Sequence, residues 1–174
     1  MKNIFLIIVI FFVNIILIYG QCLDCAIYGQ TQEITYTVNQ INCGICAYTV
    51  KYRECQSDPI KFMIDSIKAL NNNPTCCQGT AINDPMVSGY ILDEAANQIA
   101  QQVGGTITIY TPSKCWQWAG FLGPGPLHNA VLIPCGTAIS CCIFHYQDGV
   151  LISREFQGNQ ECRNDPEGCF PLCE

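Results

Sequence analysis

In residues 139–153, ISCCIFHYQDGVLIS, two adjacent cysteines precede a histidine and an Asp-Gly pair. A cysteine thiolate with an imidazole base is the minimal set for nucleophilic catalysis. The strand-like alternation of this stretch argues against that chemistry, because successive side chains of a strand point to opposite faces and Cys141 and Cys142 cannot share one task. With Asp148-Gly149 as a two-residue turn, Tyr146 is expected opposite Leu151 and His145 opposite Ile152. Cys141 then shares a face with Ile143, His145, Ile152 and Phe156. His145 lies four residues from Cys141 and on the other face from Cys142, so the stretch reads as two crosslinks and a structural histidine.

Cys22-x-x-Cys25 and Cys43-x-x-Cys46 are two further pairs whose spacing suits a structural zinc held by four thiolates. An oxidising compartment competes for those thiolates, so zinc remains an alternative rather than the main reading. Cys43-Gly44-Ile45-Cys46 also resembles the Cys-Gly-x-Cys site of thioredoxin-like oxidoreductases. That resemblance implies thiol–disulfide exchange, with the first cysteine at a helix N-terminus where the dipole lowers its pKa. The residues that follow, AYTVKYR, alternate as a strand does and supply no helix, and Asn42 stands where an aromatic residue is expected. Trp116 and Trp118 in CWQWAGF project from one face if the segment is a strand, forming either a platform for a sugar ring or apolar partner or a piece of core. His128, in a Gly-Pro loop, has no companion ligand.

Fourteen cysteines are present: Cys22, Cys25, Cys43, Cys46, Cys55, Cys76, Cys77, Cys115, Cys135, Cys141, Cys142, Cys162, Cys169 and Cys173. Residues 1–20, MKNIFLIIVIFFVNIILIYG, carry one positive charge, Lys2, then an apolar run and a small residue, Gly20. This is the pattern of a secretory signal peptide. The stretch from Ile4 to Tyr19 would span only about 24 Å as a helix, short of a hydrocarbon core of roughly 30 Å. Cleavage after Gly20 leaves residues 21–174 as one domain in which cysteine makes up 14 of 154 residues, or about 9%, the density of a disulfide scaffold. Fourteen acidic residues then face seven Lys and Arg, because Lys2 leaves with the leader, and the net charge moves from −6 to about −7. No basic cluster occurs, which makes nucleic acid and anionic membrane surfaces poor partners, so neither is expected. The single near-sequon, Asn73-Pro74-Thr75, is blocked by its proline.

The elements that must position these residues follow from periodicity. Ile34 to Val38 and Ala47 to Arg53 alternate and read as a β-hairpin. In DPIKFMIDSIKALNNNP, Asp58 and Pro59 suit a helix start, and Ile60, Met63, Ile64, Ile67 and Leu70 recur at three- and four-residue spacing, which predicts an amphipathic helix. A second helix is expected from Asp84 or Ser88 to Val103, stopped by Gly104. TITIY (106–110), CWQWAGF, AVLIPC (130–135) and the two arms around Asp148-Gly149 read as strands, and the tail NQECRNDPEGCFPLCE as an irregular crosslinked lobe.

The whole predicts a small α+β domain of antiparallel hairpins, two amphipathic helices and a Cys-rich tail. Its expected setting is secreted or extracellular, with a periplasmic or cell-surface location as the alternatives. The expected role is structural or binding, toward an extracellular protein or glycan, without catalysis and without a cofactor. A secreted thiol–disulfide oxidoreductase using Cys43 and Cys46, or a structural zinc module, are the alternatives.

Overall fold

The computed structural model describes residues 25, 27–40, 44–70, 85–120, 130–135, 140–158, 162 and 169–172. Residues 1–20, read as a signal peptide, the LGPGPLHN stretch with His128, and Cys22, Cys43, Cys76, Cys77 and Cys173 lie outside them. The expected hairpin forms from β1 (Tyr28–Gln40) and β2 (Gly44–Cys55), antiparallel with Val38 opposite Cys46 and Ile34 opposite Val50. Its inner side chains Tyr36, Val38, Tyr48, Val50 and Tyr52 are buried. The Tyr52 hydroxyl reaches the exposed rim by donating to Gln32 Oε1 at 3.0 Å.

The helix expected after Asp58 is instead strand β3 (Lys61–Leu70). Lys51 of β2 opposes Ser66 and Tyr52 opposes Ile64, so Asp65 is one extra residue in the ladder, a β-bulge. The bulge shifts the alternation by one residue. Phe62 and Ile64 face the core before it, and Ile67 and Ala69 after it. The bulge thus sets Ile64 and Ile67 on one face three residues apart, and with Met63 buried on the other face and Ile60 beyond the strand, the apolar residues fall at a helix-like spacing without sharing one face. Met63, on the opposite face, is buried as well, so β3 shows no clean polar side. Asp58 serves a turn: Lys61 N donates to its carbonyl at 2.9 Å and Lys61 Nζ pairs with its carboxylate at 3.2 Å.

One helix occurs among the described residues, α1 (Pro85–Val103), at the place expected for the second. Pro85 occupies its first turn, where the missing N–H costs nothing. Gly104, at φ 71°, ends it with its N–H bonded to the Ala100 carbonyl at 2.9 Å. Its stripe of Ile91, Leu92, Ala95, Ala96, Ile99 and Ala100 is buried against the sheet. The small alanines let the helix approach closely.

The remaining strands are β4 (Thr106–Tyr110), β5 (Cys115–Ala119), β6 (Val131–Pro134), β7 (Cys141–Gln147), β8 (Val150–Gln157) and β9 (Phe170–Pro171). All nine strands belong to one mixed sheet, so the protein is predominantly β and the α+β expectation with two helices is overturned. β3 is its spine. One side of β3 pairs with β2, while the other pairs with β4 at Lys61–Met63 and with β6 at Ile67 and Lys68. The sheet therefore forks at the bulge, into a β4–β7–β8 branch and a β6–β5–β9 branch. The β3–β4 pair is parallel and needs a crossover, which contains α1.

The turn between β7 and β8 has Asp148 at φ 49° and Gly149 at φ 77°, the left-handed pair of a type I′ turn. Tyr146 opposes Leu151 as expected. His145, however, opposes Ser153 rather than Ile152, because a bulge at Ile152 shifts the register. Phe156 consequently stands opposite Cys142, not on the Cys141 face. In the tail, β9 pairs with β5, Phe170 opposite Trp116, so the lobe expected to be irregular contributes a strand.

Candidate functional site

The cysteines are where this chain concentrates its chemistry, and the structure assigns those among the described residues to crosslinking. Cys25 bonds Cys55 (S–S 2.02 Å), Cys115 bonds Cys162 (2.10 Å) and Cys135 bonds Cys169 (2.15 Å). Cys46, Cys141 and Cys142 are disulfide-bonded as well. No cysteine among the described residues is a free thiol.

Cys141 and Cys142 divide as strand geometry requires. Cys142 joins the main core with Phe144 and Tyr146, while Cys141 packs with Ile143 and Tyr110 on the other side of the sheet. Both are fully buried. His145 sits on the Cys141 face, half-buried. Its Nδ1 is 3.3 Å from Thr108 Oγ1 and its Nε2 is 3.9 Å from Glu155 Oε1. With both sulfurs oxidised, the stretch holds no thiolate for the imidazole to activate.

Cys46, the second cysteine of Cys-Gly-Ile-Cys, is buried within strand β2 and not at a helix end, so the dipole that activates a thioredoxin-type thiol is not aimed at it. The four-thiolate zinc reading is overturned at Cys25, whose sulfur is committed to Cys55. Among the described residues, no three His, Cys, Asp or Glu side chains are grouped for a metal.

Trp116 and Trp118 do share a face of β5, and that face points inward. Trp116 is 0% and Trp118 5% exposed. Each indole N–H is satisfied internally, Trp116 Nε1 donating to the Ser113 carbonyl at 2.8 Å and Trp118 Nε1 to Ser88 Oγ of α1 at 3.0 Å. The platform reading is thereby overturned. The rings are core, and their polar handles stitch the helix and a corner to the sheet.

That corner, Thr111–Lys114, was invisible in the periodicity. Thr111 Oγ1 donates to the Ser113 carbonyl at 2.8 Å and accepts from Cys142 N at 3.1 Å, and Ser113 Oγ accepts from Cys115 N at 3.0 Å. Lys114 N donates to Ser140 O and Lys114 O accepts from Leu172 N, both at 3.1 Å. One buried turn thus holds both sheet branches and the C-terminal tail, beside the Cys115–Cys162 bridge. The only hint in the sequence is Thr-Pro-Ser, an ordinary turn signal.

Two contacts tie α1 to opposite ends of the sheet. Tyr36 of β1 donates to the Ile91 carbonyl at 3.0 Å, and burial, followed by Tyr48, pushes its phenol well above the ordinary range. Arg154 of β8 ion-pairs with Asp93, its guanidinium lying 5.2 Å from the Phe144 ring centroid. Burial raises the Asp93 carboxyl, and Arg154 opposes that shift. The second carboxylate oxygen, Oδ1, is buried without a hydrogen-bond partner. Tyr146 is raised by burial and then by the Asp93 charge.

The hollow beside the Cys25–Cys55 bridge, edged by Tyr28, Lys61, Phe62, Met63 and Tyr110, has a cavity volume of about 10 Å³, room for roughly one water and none for a small-molecule ligand. No helix among the described residues is long and apolar enough to cross a membrane. Comparison with known proteins finds no matching family model, no matching curated protein and no matching solved structure.

Proposed function

We propose that this protein is a secreted, non-enzymatic extracellular module whose role is structural or binding, toward an extracellular protein or glycan. The observation that carries this reading is the placement of the disulfides. The three described in full join residues 30, 47 and 34 positions apart in the chain. They pin the start of β1, the β5–β6 branch and the C-terminal tail, and each lowers the entropy of the unfolded chain by an amount worth roughly 2 to 4 kcal/mol. A mature chain of this length can bury an adequate core without such help, so the crosslinks supply resistance to unfolding and to proteases. The apolar leader, the low charge and the absence of basic clusters in the sequence support the same setting.

The test is the intact mass of the protein recovered from the secreting host's medium, alkylated with and without prior reduction. The expected species begins at Gln21 and takes up no alkylating agent until reduced, after which fourteen cysteines react. Protease half-life should fall sharply on reduction. A protein retained inside the cell, or one with several thiols reactive before reduction, overturns the reading. A single pair reduced far ahead of the others, with turnover of a dithiol substrate, would favour the oxidoreductase.

A further inference from the structure

Among the described residues, three strands end the branches of the sheet: β1, β8 and β9. An open strand edge is a template for pairing with another chain, and natural sheets blunt their edges with short strands, proline, bulges or charges. β9 is two residues long and includes Pro171. β8 carries the Ile152 bulge and the charges Arg154 and Glu155. β1 has a register irregularity only at its start, between Tyr28 and Thr31, and a single charge. Ten of its residues, Thr31 to Gln40, pair with β2 in unbroken register, and the strand contains no proline, lysine or arginine. Its one charge, Glu33, is paired across the strands with Lys51 of β2 at 3.0 Å. Among the described residues β1 pairs with β2 alone.

From this contrast we propose that β1 is a self-association edge, at which two copies of the chain pair antiparallel and extend the sheet across a twofold axis. An axis perpendicular to the sheet keeps inner faces with inner faces. Centred on Thr35, it sets Ile34 against Tyr36 of the partner subunit and Glu33 against Thr37 of the partner subunit. Centred on Tyr36, it sets Ile34 against Val38 of the partner subunit and Glu33 against Asn39 of the partner subunit. In both registers the core-side pairs nearest the axis are apolar, Glu33 meets a hydroxyl or an amide on the solvent side, and no carboxylates face each other. The Thr35–Thr49 hydroxyl contact, 3.2 Å within one copy, lies on that solvent face and would continue across the axis. Because each mature copy carries about −7, from fourteen acidic and seven basic residues, association tightens as salt screens the copies from one another.

The proposal is independent of the extracellular reading, since it concerns the oxidised protein in any compartment. Sedimentation of the oxidised, leader-free chain over a concentration series should show the mass of one chain rising to that of two. The double variant Thr35→Glu with Thr37→Glu places like charges directly opposite in both registers and should weaken the dimer about tenfold. Val150→Glu with Ile152→Glu adds the same charge at the other end of the sheet and should leave the dimer as it was. Amide exchange in the wild type supplies a check that needs no variant: protection of residues 31–40 should increase with concentration. A mass that stays that of a single chain up to about 1 mM overturns the proposal. So does concentration-independent exchange at β1, or a dimer lost in the β8 variant and kept in the β1 variant.

Discussion

Replacing Cys115 and Cys162 together by alanine tests how the crosslinks act. Alanine is the right substitute because Cys115 is fully buried, and serine would place an unpaired hydroxyl there. The bridge closes 47 residues of chain. Taken alone, a loop of that size corresponds to a chain-entropy contribution of about 4 kcal/mol. The loop is not alone, because Cys135–Cys169 remains in the variant. With that bridge in place, the shortest covalent path from Cys115 to Cys162 runs to Cys135, crosses to Cys169 and returns, roughly 27 residues, which lowers the contribution to about 3.5 kcal/mol. Other crosslinks through Cys141 and Cys142 can only shorten it further, so about 3.5 kcal/mol is an upper bound. Urea unfolding under non-reducing conditions, followed by tryptophan fluorescence, measures the loss directly, since Trp116 neighbours the bridge. A loss between about 1.5 and 3.5 kcal/mol fits the shortest-path argument. A loss clearly above that range, or none, would refute it: the first would mean native packing around Cys115 dominates, the second that the unfolded chain is already confined.

Gly149→Val should cost more than about 1 kcal/mol and lower the yield of folded protein, while Gln147→Val should change little, because position 149 needs φ near 77°, which a β-branched residue adopts only under strain. Trp116→Ala should cost about 3 to 5 kcal/mol in urea midpoints, and Trp118→Phe about 1 kcal/mol, the worth of its bond to Ser88. A near-neutral Trp116→Ala would return that residue to the surface. The Asp93 carboxyl titrates above its ordinary 3.8 in the folded protein because burial outweighs Arg154. Protonation is therefore tighter in the folded than in the unfolded chain, and the associated stability is present at acid pH and lost as pH rises through the raised value. The stability of Asp93→Asn relative to wild type should accordingly climb from about pH 4 upward, and a flat difference across pH 3 to 7 would contradict the shift.

Local chemistry alone determined much of this protein. A chain in which fourteen of 174 residues are cysteine was readable as disulfide-crosslinked, whichever pairs form. The β1–β2 hairpin and the Asp148-Gly149 turn were legible because alternation and left-handed φ are properties of a few consecutive residues. So was the end of α1 at Gly104. The separation of Cys141 from Cys142 was legible for the same reason, being a matter of strand geometry within two residues. Tertiary structure decided the rest. β3 looked helical because its bulge at Asp65 answers to a register with β2 that the sequence of β3 cannot display. Ile152 slipped out of the predicted pairing through the same kind of insertion. Trp116 and Trp118 were correctly placed on one face, but which side that face turns toward depends on Ser88, 30 residues away from Trp118 on α1. The pairing of Cys25 with Cys55 rather than with a zinc ion likewise depends on β1 and β2 lying side by side, since a crosslink answers to distance in space and the sequence supplies only distance along the chain.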